Sequence, residues 1–157
     1  MRNAVMGNTH KSSSHVQVKA EDVIFAKVEE LLDIKLEKNK KIYLADNAFT
    51  YMQPDFISDE NLVIGEIFAH IGKPKKAQDN KIANDILKML LLEKVTGKQY
   101  RKLIVVCDES EMKKLKGQSL LAESIRRFGV EIIQIEIEND LREQILEAQN
   151  TQKMINA

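Results

Sequence analysis

The alternation of apolar and polar residues predicts a series of helices and strands from about residue 20 onward. Residues 1–19 are rich in Ser, Asn and His without apolar periodicity, so we expect a flexible N-terminal arm followed by one domain over 20–157. The predicted elements, in chain order, are a helix from Ala20, a strand at 42–45, a hairpin at 53–57 and 62–68, a helix at 74–95, a strand at 103–107, a helical region to Phe128 broken near Gly117, a strand at 130–137 and a helix from Asp140.

Two of the strands indicate how the sheet is covered. Residues 103–107 form a continuous apolar, β-branched run, which is typical of a strand buried on both faces. In 130–137, isoleucines alternate with polar residues, which favours a strand with one wet face near a sheet edge. We therefore predict an α/β fold with a mixed β-sheet flanked by helices on both faces.

The hairpin carries two carboxylates in unusual positions. Glu66 lies inside an otherwise apolar strand, and Asp55 begins the strand before it. If Glu60 and Asn61 close the turn, Asp55 lies opposite Glu66 on one face; a three-residue loop would shift the pairing by one and separate them. Opposed carboxylates repel each other unless a cation or a proton lies between them. Alternatively, Asp55 is an ordinary strand-entry residue and Glu66 is salt-bridged at a sheet edge.

Pro54-Asp55, a spacer of about ten residues and Glu66 in an apolar strand, with a helix on either side, resemble the PD-(D/E)XK nuclease superfamily. The resemblance covers about residues 21–107 and implies a restriction-endonuclease-like core. The family's next element is a lysine two residues after the glutamate, and this chain has Phe68 there. Some members carry the lysine on the following helix, which makes Lys81, and secondly Lys73, the candidates here.

The helix that carries Lys81 allows a simpler interpretation. Projection at 100° per residue places Ile82, Ala83, Ile86, Leu87 and Leu90 on one apolar face. Lys81 and Asp85 then fall on the opposite face, where they would form a solvent-facing ion pair. His70 shares the strand parity of Glu66 and is a secondary candidate, as a ligand or an acid–base group, or is simply a partly exposed polar residue.

The resemblance also implies a function and a metal. We expect Asp55 and Glu66 to bind Mg²⁺ or Mn²⁺ together with Glu30, or its neighbour Glu29, from the first helix; both glutamates could equally be surface residues. The expected activity is hydrolysis of phosphodiester bonds in nucleic acid, with DNA as the leading substrate and a homodimer as a possible assembly. The alternative is a catalytically inactive nuclease-fold protein that binds nucleic acid or a protein partner, which Phe68 favours.

Composition limits the other classes. The 157 residues are 43% hydrophobic and 31% charged, without an apolar run long enough to span a bilayer and without a signal-peptide pattern, so we expect a cytoplasmic protein with no membrane partner. The single cysteine, Cys107, excludes an internal disulfide and a cysteine-rich zinc site. The formal net charge is zero, so any attraction to nucleic acid must come from local basic clusters.

Asp108 follows the strand at 103–107, the position where doubly wound α/β proteins bind ligands. No Gly-rich phosphate loop accompanies it, so a nucleotide site is a weak hypothesis. A helix N-cap is the simpler interpretation of this residue.

Overall fold

A computed structural model of the chain describes residues 2–44 and 49–155, with side chains described from Ser14 onward up to Met154. The helices are α1 Arg2–Leu32, α2 Lys76–Thr96, α3 Glu109–Leu115, α4 Leu120–Arg127 and α5 Asn139–Ile155. The strands are β1 Glu37–Lys38, β2 Ile42–Tyr43, β3 Tyr51–Met52, β4 Phe56–Ser58, β5 Val63–Phe68, β6 Arg101–Val106 and β7 Val130–Gln134.

The main sheet has five strands in the order β1-β4-β5-β6-β7. β1 and β4 pair antiparallel, as do β4 and β5, whereas β5, β6 and β7 run parallel. The helix α2 connects β5 to its parallel neighbour β6, and this connection needs a crossover because parallel strands cannot be joined by a tight turn. The prediction of an α/β fold with a mixed sheet is confirmed.

Helices cover both faces of this sheet, as predicted. On one face, α1 and α5 pack against side chains that include Phe56, Ile67 and Val105. On the other, α2, α3 and α4 pack against Ile64 and Ile104, among others. We call these the α1 face and the α2 face. Because side chains alternate along β5, Ile67 belongs to the α1 face and Glu66 to the α2 face.

Two short strands differ from the prediction. The strand expected at 42–45 does not enter the main sheet: β2 pairs with β3 in a separate two-stranded sheet, and residue 45 lies outside the described residues. The edge strand beside β4 is β1 instead, which pairs Glu37 with Ile57 and Lys38 with Phe56. Strands of two residues carry too little periodicity to be recognised from a sequence.

The first helix begins earlier than the predicted Ala20. α1 starts at Arg2 and thus includes most of the range assigned to a flexible arm. Val16 packs against the same cluster as Leu141 and Ile145 of α5, and Lys19 donates a hydrogen bond to the Gln144 side chain at 3.4 Å. A local sequence window cannot detect these contacts because the partner helix lies at the other end of the chain. The mobility of residues 1–19 stays a prediction.

Two predicted helix boundaries are confirmed. Gly97 ends α2 in the left-handed conformation, with φ of 70°, and its N–H donates to the Glu93 carbonyl oxygen. The break expected near Gly117 separates α3 from α4, which begins after the N-cap Ser119. No helix in the described part of the chain is both long and apolar enough to cross a membrane.

Candidate active site

The hairpin has the register that opposes the two carboxylates. Its paired residues are Phe56 with Gly65, Ile57 with Ile64, and Ser58 with Val63. The next pair along this register is Asp55 with Glu66. Both residues therefore start from the α2 face of the sheet, as the count with a two-residue turn predicted.

Backbone hydrogen bonds fix the two carboxylates. The Ile67 N–H donates to Oδ2 of Asp55 at 2.7 Å, and the Asp55 N–H donates to Oε2 of Glu66 at 3.3 Å. Each carboxyl group thus accepts a bond from the other side of the hairpin, so both are fixed in place and have further oxygen lone pairs for a ligand.

Glu66 is held as an acid rather than as a carboxylate. Glu66 is 7% exposed. Burial, together with the nearby Asp55 and Asp85 carboxylates, raises its pKa to about 9. At pH 7 the cluster therefore retains a proton that a single exposed glutamate would release. A bound cation would do the same work as this proton, because either one relieves the repulsion between like charges.

Asp85, on α2, is the site residue that the sequence analysis placed wrongly. It is 6% exposed, and burial raises its pKa, while Lys81 and Lys88 act in the opposite direction. The Lys88 amine lies 3.5 Å from Oδ1 of Asp85. The predicted solvent-facing pair of Lys81 and Asp85 is wrong in this respect: Lys81 is exposed, but Asp85 faces the sheet.

The apolar face predicted for α2 is also partly wrong. Ala83 and Leu87 are exposed, whereas Met89 and Leu92 are buried beside the correctly predicted Ile82 and Ile86. The spacing of 82, 86, 89 and 92 was the available signal, and position 85 lies within that face. The sequence of α2 is compatible with two apolar faces, and the contact with the sheet determines which of them is buried.

The first helix does not supply a third carboxylate here. α1 covers the opposite face of the sheet from Glu66. Glu30 is exposed, and Oε2 of Glu29 accepts the Leu36 N–H at 2.9 Å. The third acidic side chain beside Asp55 and Glu66 comes from α2 as Asp85, and the geometry gives no support to a metal-binding role for Glu30.

Phe68 and Lys81 meet next to this cluster. Phe68 is buried on the α2 face, and the Lys81 amine lies 5.9 Å from the centroid of its ring. Lys81 also lowers the pKa of Asp85 through its charge, against the larger effect of burial. The amine of Lys81 is therefore positioned beside Phe68, the residue two positions after Glu66.

His70 and Lys73 lie in the loop 69–75 that follows β5. His70 stacks on Phe68 with 5.6 Å between ring centroids, and its Nδ1 has no hydrogen-bond partner among the described residues. Burial lowers the pKa of His70 against the opposing effect of Asp108, so its imidazole is neutral at pH 7. A cleft of about 870 Å³ is lined by His70, Lys73 and Lys81 together.

The loop 69–75 is anchored from two sides. The Gly72 N–H donates to Oδ2 of Asp108 at 2.9 Å, and Arg142 donates to Oδ1 of Asp108 at 2.5 Å. On the other side, the Gln149 side chain accepts from the Ile71 N–H at 2.9 Å and donates to the Ile71 carbonyl at 3.0 Å. Asp108 occupies the predicted N-cap position of α3, but its side chain makes no capping bond and holds this loop instead.

The donor set suits a hard divalent cation only in part. Among the side chains that the structure describes, 14–44 and 49–154, no three from His, Cys, Asp or Glu are grouped so that they could hold a metal ion as they stand. Magnesium commonly takes one or two protein carboxylates and keeps several waters. Asp55 and Glu66 meet that smaller requirement, because both are oxygen donors on one face and their mutual repulsion is relieved by positive charge.

Comparison of the chain with family models, with curated proteins and with solved structures finds no match.

Proposed function

We propose that the protein is a metal-dependent nuclease that hydrolyses phosphodiester bonds in nucleic acid, with DNA as the leading substrate. The observation that carries the proposal is the buried Glu66 carboxyl group opposite Asp55 and beside Asp85, with a pKa raised to about 9. Buried acidic groups with strongly shifted pKa values cluster at catalytic sites.

In this proposal Asp55 and Glu66 hold Mg²⁺ or Mn²⁺ through carboxylate oxygens. The bound ion would act as a Lewis acid toward a phosphoryl oxygen and lower the pKa of a water. Asp85 adds negative charge from α2 and is itself balanced by Lys88, whose amine is 3.5 Å away. Cation binding requires Glu66 to lose its proton, so affinity for the metal should rise with pH.

The basic side chains take the remaining roles. Lys81 provides positive charge beside the carboxylates, where it would stabilise the negative charge that develops on a phosphoryl group. Lys73 is an exposed residue of the loop 69–75 and is suited to bind phosphate. The neutral His70 can accept a proton within the same cleft.

The order of elements supports the assignment to a restriction-endonuclease-like core. A helix, an antiparallel hairpin, a crossover helix and a parallel strand follow one another as α1, β4 and β5, α2 and β6. The two carboxylates lie on the hairpin, which is where the PD-(D/E)XK resemblance requires them.

One observation favours a second candidate function, a catalytically inactive nuclease-fold protein that binds nucleic acid or a protein partner. Phe68 fills the position of the family's lysine and is 7% exposed within the α2-face core. If Lys81 does not replace that lysine, the site would bind a cation and a phosphate without cleaving the ester bond.

A cleavage assay tests both candidates. Single-stranded, duplex and branched DNA and RNA are incubated with the protein in Mg²⁺ or Mn²⁺ and in EDTA. We expect metal-dependent cleavage that falls at least 100-fold in Asp55→Asn plus Glu66→Gln, since both metal-holding oxygens are altered.

The matched control is Glu60→Gln, which removes an exposed carboxylate from the turn of the same hairpin. Cleavage that persists unchanged in the double variant contradicts the proposed site. Binding without cleavage in every metal supports the inactive candidate.

A further inference from the structure

The cleft beside the proposed site is strongly basic. It opens at the end of β5, between the first turn of α2 and the last turns of α5, and encloses about 870 Å³. Four lysines line it: Lys73 and Lys75 from the loop, Lys81 from α2 and Lys153 from α5. Three separate elements thus direct positive charge to one cavity.

None of these four lysines forms a close ion pair with a described residue, although Lys81 interacts with Asp85 through its charge. Among the described residues, Glu21 of α1 is the only acidic side chain in the lining. Within the same part of the chain, no carboxylate oxygen lies within 4 Å of any of the four amines. The first turn of α2 adds the partial positive charge of a helix N-terminus. A bound anion would therefore reduce the electrostatic repulsion among the four lysine amines of the cleft.

The remaining lining suits a nucleotide more than a simple inorganic ion. Asn150 and Gln152 contribute amide groups, which can donate to and accept from base edges, and His70 contributes a half-buried ring. Gln149 also lines the cleft, but its amide already holds Ile71. The cleft thus combines positive charge with side chains that recognise bases.

The volume of the cleft suits a single nucleic-acid strand better than a duplex. Pockets of roughly 300–1,000 Å³ enclose ligands of drug size, and one or two nucleotides are ligands of this size. A double helix holds its two backbones apart across a major groove about 12 Å wide, so both strands cannot enter a space of this size together. Single-strand sites commonly consist of a positively charged groove that follows the backbone.

We propose that this cleft binds the phosphodiester backbone of a single nucleic-acid strand, so that the protein prefers single-stranded over duplex substrate. This inference rests on the proposed nuclease function for the identity of the polymer. Lys81 belongs both to the cleft and to the surroundings of Asp85, so a strand in the cleft leads directly to the carboxylates.

Binding in EDTA tests the inference without cleavage. Fluorescence anisotropy compares a short DNA strand with a duplex of the same sequence that is closed by a hairpin loop so that it stays paired, and a mononucleotide serves as competitor. We expect the strand to bind at least 10-fold more tightly than the duplex. Two phosphate contacts contribute about 1.4 to the slope of log K against log salt for single strands, so Lys73→Gln plus Lys75→Gln should reduce the slope by that amount and weaken binding about 10-fold.

Lys94→Gln plus Lys98→Gln is the matched control, because both lysines are exposed at the opposite end of α2. Equal affinity for strand and duplex, an equal loss in the control, or a mononucleotide that binds as tightly as the strand overturns the inference. No binding in EDTA also overturns it.

The two proposals fail separately. Cleavage without strand preference contradicts this inference but supports the nuclease activity. Strand-selective binding without cleavage supports this inference but contradicts the nuclease activity.

Discussion

At the scale of single residues, Glu66 makes the stability of the protein depend on pH. Its folded pKa of about 9 exceeds the value of 4.5 for a free glutamate, so the folded state keeps a proton that the unfolded state releases above pH 4.5. Stability from this group is complete below about pH 4.5 and is lost as pH rises toward 9.

We therefore predict that Glu66→Gln flattens the decline of stability between pH 5 and 9 in EDTA. The difference from the native protein should be on the order of a few kcal/mol, because one pKa unit corresponds to about 1.4 kcal/mol. Urea unfolding at a series of pH values measures it, with Glu60→Gln as the control. Parallel stability curves for the native protein and Glu66→Gln would show that Glu66 ionises normally.

The acidic residues of the two helices give a second prediction at this scale. Asp85 faces the proposed site from α2, whereas Glu30 is exposed on α1, on the other side of the sheet. We predict that Asp85→Asn lowers cleavage about 10- to 100-fold, the usual effect of a group that supports metal ligands. Glu30→Gln should leave cleavage unchanged.

Initial rates over a range of Mg²⁺ concentrations measure both variants. A metal requirement that shifts only for Asp85→Asn supports the α2 carboxylate, and a loss confined to Glu30→Gln would instead restore the role expected from the sequence. Each variant replaces a carboxylate with a nearly isosteric amide, so we expect both to fold. A thermal melt of each variant checks this.

At the scale of elements, the loop 69–75 depends on α5. The two hydrogen bonds between Gln149 and Ile71 join the last helix to the segment that carries His70 and Lys73. We predict that Gln149→Leu leaves both backbone groups of Ile71 unpaired and costs about 1–3 kcal/mol of stability. Binding of a single strand should weaken as well, because the loop lysines lose their fixed position.

The control for this prediction is Gln144→Leu, on the same helix as Gln149. It removes only an exposed 3.4 Å hydrogen bond from Lys19 of α1. Urea unfolding and strand binding are measured for both variants. Equal effects at positions 144 and 149 would show that the response comes from leucine on α5 in general. The two hydrogen bonds between Gln149 and Ile71 would then be unimportant.

The elements also show what the sequence could and could not predict. Counting across the turn left two registers open, and the structure has the one with a two-residue turn, which opposes Asp55 and Glu66. The burial of Asp85 does not follow from the sequence, because α2 has two apolar faces and the sheet selects one of them. The contacts that Val16 and Lys19 of α1 make with α5 could not be predicted either, because Gln144 lies 125 residues from Lys19 in the chain.

At the scale of the whole molecule, the zero net charge conceals a separation of charges. Three acidic side chains meet on the α2 face, Asp55 and Glu66 from the hairpin and Asp85 from α2. Four lysines surround the adjoining cleft, with Lys81 between the two groups. A cation held by the carboxylates and a strand held by the lysines would attract each other across a short distance. Their binding must therefore be coupled, and coupling between two ligands is reciprocal.

We predict that a bound strand tightens Mg²⁺ binding at least 5-fold and that Mg²⁺ tightens strand binding by the same factor. Calorimetry with a phosphorothioate strand, which keeps its charge, gives both ratios. Lys81→Met removes the lysine between the groups, so the strand should bind more weakly while the two ratios stay equal to each other. Ratios that both equal one would show that the carboxylates and the cleft act independently, and a strand that opposes Mg²⁺ binding would place the polymer elsewhere on the molecule.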